Sequence, residues 1–261
     1  ADRVIGEIAT VDQLQPDGKV IQVPAGEVTE FVLDLRAEFS DPGQTGFDAV
    51  RLGLPSAGKL LGLQIGDPLT VAEPDSVIDE DGDLVVYLPQ PLGPDAEDKL
   101  RLRLETAVYG ASDHFRAEVF DRRNSSLPQG VEDGDASEEL GTDQLRVLVE
   151  SGTLKSLLSE VTMAPATFTP QGDGINDELE ITYTLFSVLD AIEVEVELLT
   201  LAGQRVRRLP GGVQGAGRHR LKWDGRDDAG QIVAPGIYLA RIAADTDRGA
   251  IVRFGSIAVA Y

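Results

Sequence analysis

The stretch TFTPQGDGINDELEITYTL, residues 167–185, decides the fold of the C-terminal part of the chain. Its first half is a loop, because Pro170 lacks a backbone donor and Gly172 and Gly174 favour turns. Its second half alternates apolar residues with acidic residues and threonines. The apolar residues, which fall on one face of an extended chain, are Leu179, Ile181, Tyr183 and Leu185. A period of two predicts a half-buried antiparallel strand that begins where the loop ends.

The same alternation returns in IEVEVELL, residues 192–199, where three glutamates separate β-branched residues and leucines. The run closes on WDGRDDAGQIVAPGIY, residues 223–238, which combines turn formers with two large aromatic residues, Trp223 and Tyr238. Apolar residues that face inward and carboxylates that face outward are typical of a β-sandwich. We interpret Trp223 as a core residue whose indole N–H reaches a backbone carbonyl.

These motifs resemble a known family. The order FTPxGDGxND, a strand pair, LAGQRVRRL and WDGRDDAGQIVAPGIYLAR, within residues 164–261, is similar to the Ig-like domain at the C-terminus of many secreted bacterial proteins. Related domains occur in the flagellar hook-capping protein and in gliding-motility and type IX-secreted proteins. Gln171 stands where the first motif usually has Asn. The resemblance implies an Ig-like domain over residues 163–261, and a start at Ala1 that is processed or truncated.

The N-terminal part of the chain also predicts strands. Seven strand-like runs, separated by Gly and Pro, are VIGEIATV, VTEFVLDL, FDAVRLGL, LLGLQIG, LVVYLP, KLRLRLETAVY and FRAEVF. Short strands at this spacing favour a sandwich or barrel. The fold class is therefore all-β, with two tandem antiparallel β-sandwich domains at residues 1–162 and 163–261. Residues 151–161 suit either a short helix or an irregular strand, and MAPATFTP is the predicted connector.

Composition limits the partners and the chemistry. The chain of 261 residues holds 45 acidic and 23 basic residues, a net charge of −22, which repels nucleic acid and anionic membranes. The absence of cysteine excludes disulfides, thiolate metal sites and a cysteine nucleophile. Since no apolar run approaches the ~18 residues that span a bilayer, we expect no membrane insertion. The expected partners are proteins, through self-association or through components of a bacterial cell surface.

The best candidate for a ligand site is the acidic loop, with Asp173, Asn176 and Asp177 as ligands for Ca²⁺. Calcium takes six to eight oxygen ligands, and a glycine-rich loop can bring carboxylates, an amide and carbonyls together. The alternative is that these side chains cap their own backbone at the start of the strand. Calcium is the only cofactor that the sequence suggests.

No motif in the sequence predicts catalysis. Ser112-Asp113-His114 are adjacent and point in alternate directions, whereas a catalytic triad is assembled from separate segments. His219 opens a predicted strand at the rim of the core. The match of residues 53–59 to a phosphate loop lacks the final Ser or Thr and leads into a strand rather than a helix. We therefore expect no enzyme.

The function expected from these features is a non-catalytic structural or interaction protein, extracellular or on the bacterial cell surface. One form of this hypothesis is a subunit of a surface filament or layer. The alternatives are the stalk and terminal sorting or adhesion domain of a larger secreted protein, or a glycan-binding accessory module. The last strand, residues 253–261, is either an ordinary closing strand or an edge that pairs with another subunit.

Overall fold

A computed structural model describes residues 1–14, 20–94, 99–123, 127–153, 155–172, 174–247 and 249–261. The described residues form strands, one short 3₁₀ helix at Ser151–Thr153 and no α-helix. The strands are β1 (Arg3–Thr10), β2 (Ile21–Val23), β3 (Val28–Glu38), β4 (Phe47–Gly53), β5 (Lys59–Ile65), β6 (Thr70–Ala72), β7 (Ser76–Glu80), β8 (Asp83–Leu92), β9 (Lys99–Ala107), β10 (Ser112–His114), β11 (Arg116–Phe120), β12 (Gln129–Gly130), β13 (Glu132–Asp133), β14 (Arg146–Val149), β15 (Leu158–Ala164), β16 (Thr167–Phe168), β17 (Leu179–Leu185), β18 (Ile192–Thr200), β19 (Arg205–Gln214), β20 (Gly217–Trp223), β21 (Gly236–Ala244) and β22 (Ile251–Val259). The all-β prediction is confirmed.

The chain forms two compact units, Ala1–Thr153 and Leu154–Tyr261. In the first unit, a six-stranded sheet has the order β13-β1-β3-β9-β5-β6 and a five-stranded sheet has the order β12-β11-β4-β8-β7. A smaller sheet has the order β10-β14-β2. Most pairs are antiparallel, but β1 with β13 and β14 with β2 are parallel. All seven strand-like runs of this part of the sequence lie in strands of these three sheets or overlap them.

The second unit is built from a three-stranded sheet, β15-β17-β20, and a five-stranded sheet, β16-β22-β21-β18-β19. The burial of the side chains of β17 follows the alternation that the sequence predicts. The four residues on its inner face are all 0% exposed: Leu179, Ile181, Tyr183 and Leu185. On β18 the inner residues Val194, Val196 and Leu198 are buried in the same core. The glutamates between them are exposed or half-buried on the outer face.

The boundary between the two units lies after Thr153, which is earlier in the chain than the boundary that the sequence predicted after residue 162. The segment of residues 151–161 contains both structures that the sequence left open, a 3₁₀ turn at its start and then strand β15. That strand pairs with β17, and Leu158 is part of the core of the second unit. The stretch interpreted as a connector therefore lies inside the second unit, where it forms the end of β15 and the short strand β16.

The turn between β7 and β8 has a backbone conformation that its residues favour. Asp81 and Gly82 have φ angles of 56° and 92°, and they join β7 to β8 where Glu80 pairs with Asp83. Two residues with positive φ are typical of the tight turn of a β-hairpin. Gly58 and Lys59, which complete the phosphate-loop match, lead directly into strand β5. The sequence-based interpretation of residues 53–59, that they lead into a strand rather than a helix, is confirmed.

Candidate functional site

The acidic loop lies between β16 and β17, at one end of the second unit. Thr169 closes the loop at its base: its backbone N–H donates to the carbonyl of Asn176 at 2.9 Å, and its hydroxyl donates to the carbonyl of Ile175 at 2.9 Å. Asn176 has a φ of 55°, a left-handed conformation that Asn tolerates better than most residues. The loop is thus a compact turn held by its own backbone.

The carboxylate of Asp177 fills the centre of this loop. One oxygen accepts from the backbone N–H of Gly172 at 2.6 Å, and the other accepts from the backbone N–H of Gly174 at 2.5 Å. This is the capping arrangement that the sequence offered as the alternative to calcium. Asp173 lies outside the described residues, so calcium binding by Asp173, Asn176 and Asp177 stays a prediction. Across the described ranges, no group of three or more His, Cys, Asp or Glu residues could hold a metal ion.

The two motifs of the C-terminal part pack against each other. Trp223 is 1% exposed, its indole N–H donates to the carbonyl of Arg226 at 2.9 Å, and its ring centroid lies 5.4 Å from that of Phe168. Gly225 has a φ of 75°, and a Cβ atom there would lie 2.5 Å from Cγ of Pro170. Only glycine fits this close approach, because both the space and the conformation exclude a side chain. The predicted core role of Trp223 is confirmed.

Tyrosine hydroxyl groups close the same end of the unit. The hydroxyl of Tyr238 donates to the carbonyl of Ala234 at 2.8 Å, and that of Tyr261 donates to the carbonyl of Val233. Burial, together with the neighbouring Tyr261 hydroxyl, raises the pKa of Tyr238. The phenol of Tyr238 is therefore a neutral donor, and both hydroxyl groups hold the long turn before β21.

Both histidines have structural partners. The Nε2 atom of His114 lies 3.1 Å from a carboxylate oxygen of Asp133, and that same oxygen accepts from the backbone N–H of Leu145 at 2.8 Å. In the part of the chain that the structure describes, no serine or threonine hydroxyl hydrogen-bonds to His114. His219 stacks on Tyr183 with 5.6 Å between ring centroids, and its Nε2 atom lies 2.9 Å from the carbonyl of Gly215.

The acidic residues of the β7–β8 turn also have structural roles. A carboxylate oxygen of Asp79 accepts from the backbone N–H of Gly82 at 3.1 Å, which supports the hairpin turn. Glu80 binds Arg51 at 2.7 Å. Such contacts stabilise a local conformation and leave no converging set of free ligands among these residues.

Sequence reasoning missed a buried carboxylate in the first unit. Glu7, in the middle of β1, is 0% exposed. One of its oxygens accepts from the backbone N–H groups of Ala136 and Ser137, and the other accepts from the backbone N–H groups of Thr142 and Asp143 and from the Thr142 hydroxyl, all between 2.7 and 3.2 Å. The only signal in the sequence is one acidic residue between apolar residues in VIGEIATV. Its five donors come from a loop more than a hundred residues away.

The family model of the FlgD Ig-like domain matches residues 171–248, which include β17–β21, the end of the acidic loop and the tryptophan motif. The second unit is Ig-like. The narrower resemblance to gliding-motility and type IX-secreted proteins is not part of this match. No curated protein matches the chain.

Several solved structures are similar to the chain at low identity. They include dimeric latent PorU from Porphyromonas gingivalis, with 14% identity, a TM-score of 0.34 and coverage of 97% of this chain and 20% of that one. The C-terminal domain of the antigen I/II-family protein AspA from Streptococcus pyogenes has 6% identity, a TM-score of 0.36 and coverage of 98% and 99%. The major pilin SpaD from Corynebacterium diphtheriae has 14% identity, a TM-score of 0.33 and coverage of 95% and 58%.

Within the described ranges, no helix has the length and apolar character needed to cross a bilayer.

Proposed function

We propose that this chain is a non-catalytic structural or interaction module of a bacterial cell surface or of the extracellular space. In the form that we favour, it is a subunit of a surface filament or layer. The Ig-like character of the second unit supports a module of this kind. The acidic surface, with a net charge of −22, supports a soluble exterior that meets proteins rather than nucleic acid.

One observation carries the proposal: the candidate site residues that the sequence offered, where the structure describes them, are bonded to the protein's own backbone and side chains. Asp177 caps its loop, His114 pairs with Asp133, and His219 stacks on Tyr183. A catalytic site needs a nucleophile, a base and a site for the reacting atom within mutual reach. In the described residues, the candidates that the sequence offered are instead dispersed over two units and engaged in structural contacts.

Sedimentation velocity and negative-stain microscopy of the purified full chain test the favoured form. A filament or layer subunit is expected to form oligomers whose size increases with protein concentration, and native surface material is expected to show fibres or sheets. A monodisperse monomer at all concentrations, together with a longer gene product by intact-mass measurement, would instead support a stalk or terminal domain. Turnover of any substrate by the purified chain would contradict the non-catalytic proposal.

The glycan-binding alternative has a separate test. A glycan-binding surface usually exposes aromatic side chains, but Trp223, the single tryptophan, is 1% exposed in the core. We expect a glycan array probed with the full chain to give no signal above background. Specific binding to one glycan class would replace the structural proposal with the glycan-binding one.

A further inference from the structure

The charge of the chain is divided unequally between its two units. Residues 1–153 include 31 acidic and 12 basic residues, whereas residues 154–261 include 14 acidic and 11 basic residues. The first unit is therefore strongly anionic, and the second is almost neutral. When two copies of the chain meet, contact between unlike units opposes less like charge than contact between two first units. This distribution favours a contact from the second unit of one copy to the first unit of the next.

Strand β20 presents a row of cations on an edge of the second unit. It is an end strand of its sheet as the structure describes it, contains no proline, and pairs with β17 without a break in register. Alternation places Arg218, Arg220 and Lys222 on one face, where their side chains are 60%, 62% and 62% exposed. Each forms one ion pair with a glutamate of the same unit. Exposed pairs of this kind contribute only about 0–1 kcal/mol, so these cations can bind a new carboxylate.

The same row disfavours pairing between two copies of β20. In an antiparallel pair centred on Arg220, that residue would lie opposite its own copy, and Arg218 would lie opposite Lys222. Like charges directly opposite each other destabilise a strand pair. Strand β19, the end strand of the other sheet of this unit, contains Pro210 and two breaks in register with β18, features that hinder strand addition. The open edge of β20 therefore fits an acidic strand.

Strand β7 is an acidic edge of the first unit. It is the longest end strand that the structure describes in this unit, and its five residues are all exposed. It pairs with β8 without a break in register, and its other side is a template for an added strand. Residues 73–83, which contain β7, include six acidic residues and no basic residue. The carboxylates of Asp79 and Asp81 form no ion pair among the described residues, and three of the other four bind arginines of their own unit.

One antiparallel register matches these two strands on both faces. With Arg220 opposite Asp79, the cationic face of β20 lies against a carboxylate of β7. The next pair on the opposite face is then Leu221 with Ile78. Leu221 is half-buried and Ile78 is 42% exposed, so their contact removes apolar surface from water.

We propose that β20 of one copy pairs with β7 of the next copy as an added antiparallel strand, with Arg220 opposite Asp79. Because the two strands belong to different units, the contact is head-to-tail, and it extends into an open filament or a closed ring. At physiological salt, repulsion between the acidic copies is screened beyond about 8 Å, whereas opposite charges in contact still attract. This inference rests on the proposed function as a filament subunit and names the two surfaces that join the subunits.

The experiment measures self-association of the full chain by sedimentation velocity at physiological salt. An acidic variant carries Arg220→Glu and Lys222→Glu, and a basic variant carries Val77→Lys and Asp79→Lys. Each variant alone is expected to require at least about tenfold more protein than wild type to associate, because like charges then lie opposite each other. An equimolar mixture of the two is expected to restore association, since the reversed strands complement each other.

The matched control carries Arg205→Glu and Arg208→Glu, which change the net charge as the acidic variant does but lie on β19. It is expected to associate like wild type. Circular dichroism checks that every variant is folded.

A second measurement does not depend on charge reversal. Because the chain contains no cysteine, Asp79→Cys and Arg220→Cys each introduce a single thiol. One variant is isotope-labelled, and intact mass after mild oxidation identifies the mixed dimer. We expect this dimer to form about tenfold faster or more than that of Asp79→Cys with Leu201→Cys, a control thiol in an exposed turn, because the proposed contact raises the local concentration of one thiol near the other.

The outcomes separate this inference from the proposed function. If wild type associates but the reversed variants associate equally well, or their mixture does not recover, the contact between β7 and β20 is wrong and the filament function stands. A 79–220 dimer that forms no faster than the control would also overturn the contact, and this result decides the question if a reversed variant fails to fold. Wild type that stays monomeric up to about 1 mM would overturn both the contact and the filament function.

Discussion

Replacing Glu7 by glutamine tests how the first unit is held together. The substitution keeps the shape of the side chain but exchanges one carboxylate oxygen for an amide NH₂ group. In the wild-type protein, each carboxylate oxygen of Glu7 accepts from at least two backbone N–H groups of the loop that contains Ala136, Ser137, Thr142 and Asp143. Whichever way the new amide turns, at least two buried donors therefore face another donor.

The magnitude follows from these two donors. A buried donor that loses its acceptor costs about 1–3 kcal/mol, so the pair together costs about 2–6 kcal/mol. Because the amide of glutamine is neutral, the variant avoids the free-energy cost of burying a charge, and this offsets part of the loss. We expect Glu7→Gln to lower the free energy of unfolding of the first unit by about 2–4 kcal/mol.

Hydrogen exchange measured by NMR gives the most direct assay. The amides of residues 136, 137, 142 and 143 are expected to exchange about 30-fold faster or more, since each 1.4 kcal/mol corresponds to a factor of ten. Glu27→Gln is the control, because Glu27 is exposed and its change should alter stability by no more than about 0.5 kcal/mol. If Glu7→Gln leaves both the exchange rates and urea unfolding unchanged, the carboxylate does not hold the loop.

Three further predictions concern the core, the dependence on pH and calcium. Trp223→Ala is expected to destabilise the second unit by about 3–5 kcal/mol in urea unfolding, because it empties a large buried site, and an unchanged midpoint would contradict this. Burial would raise the pKa of Asp48, but hydrogen bonds from Arg122 outweigh it, so the pKa of Asp48 lies below its usual value. A lowered pKa stabilises the fold above the usual Asp pKa, and the effect is lost as pH falls through the folded value. Asp48→Asn should therefore lose about 1–3 kcal/mol at pH 7 but differ little from wild type well below about pH 4, whereas a constant difference would exclude this linkage. Calorimetric titration with Ca²⁺ tests the calcium prediction for the acidic loop: heat of binding that Asp177→Asn weakens would support it, and the absence of heat, with a melting temperature unchanged by chelator, would remove calcium from the loop.

Local pattern was enough to predict the longer strands and individual tight turns. The alternation in β17 and β18 specified which side chains are buried, because consecutive residues of a strand point to opposite faces. The Asp81-Gly82 turn was equally readable, since these residues tolerate positive φ. The family resemblance of the C-terminal part rested on turn motifs of the same local kind, and the match at residues 171–248 confirms its Ig-like character.

Contacts between distant segments were not readable from that pattern. The boundary after Thr153 depends on the pairing of β15 with β17, and alternation within a strand does not name the partner strand. Gly225 is explained only when Pro170, far away in the chain, is seen to pack on it.

The amino-acid sequence by itself determined that this protein is made of sheets with charged outer faces, because side-chain alternation and turn chemistry act over a few residues. Only the tertiary structure decided what its charged groups do. Glu7 is bonded to a remote loop, Asp177 to nearby amides, and Asp48 to Arg122. The physical reason is that the effect of a charge depends on the donors and acceptors that folding brings within about 3 Å of it.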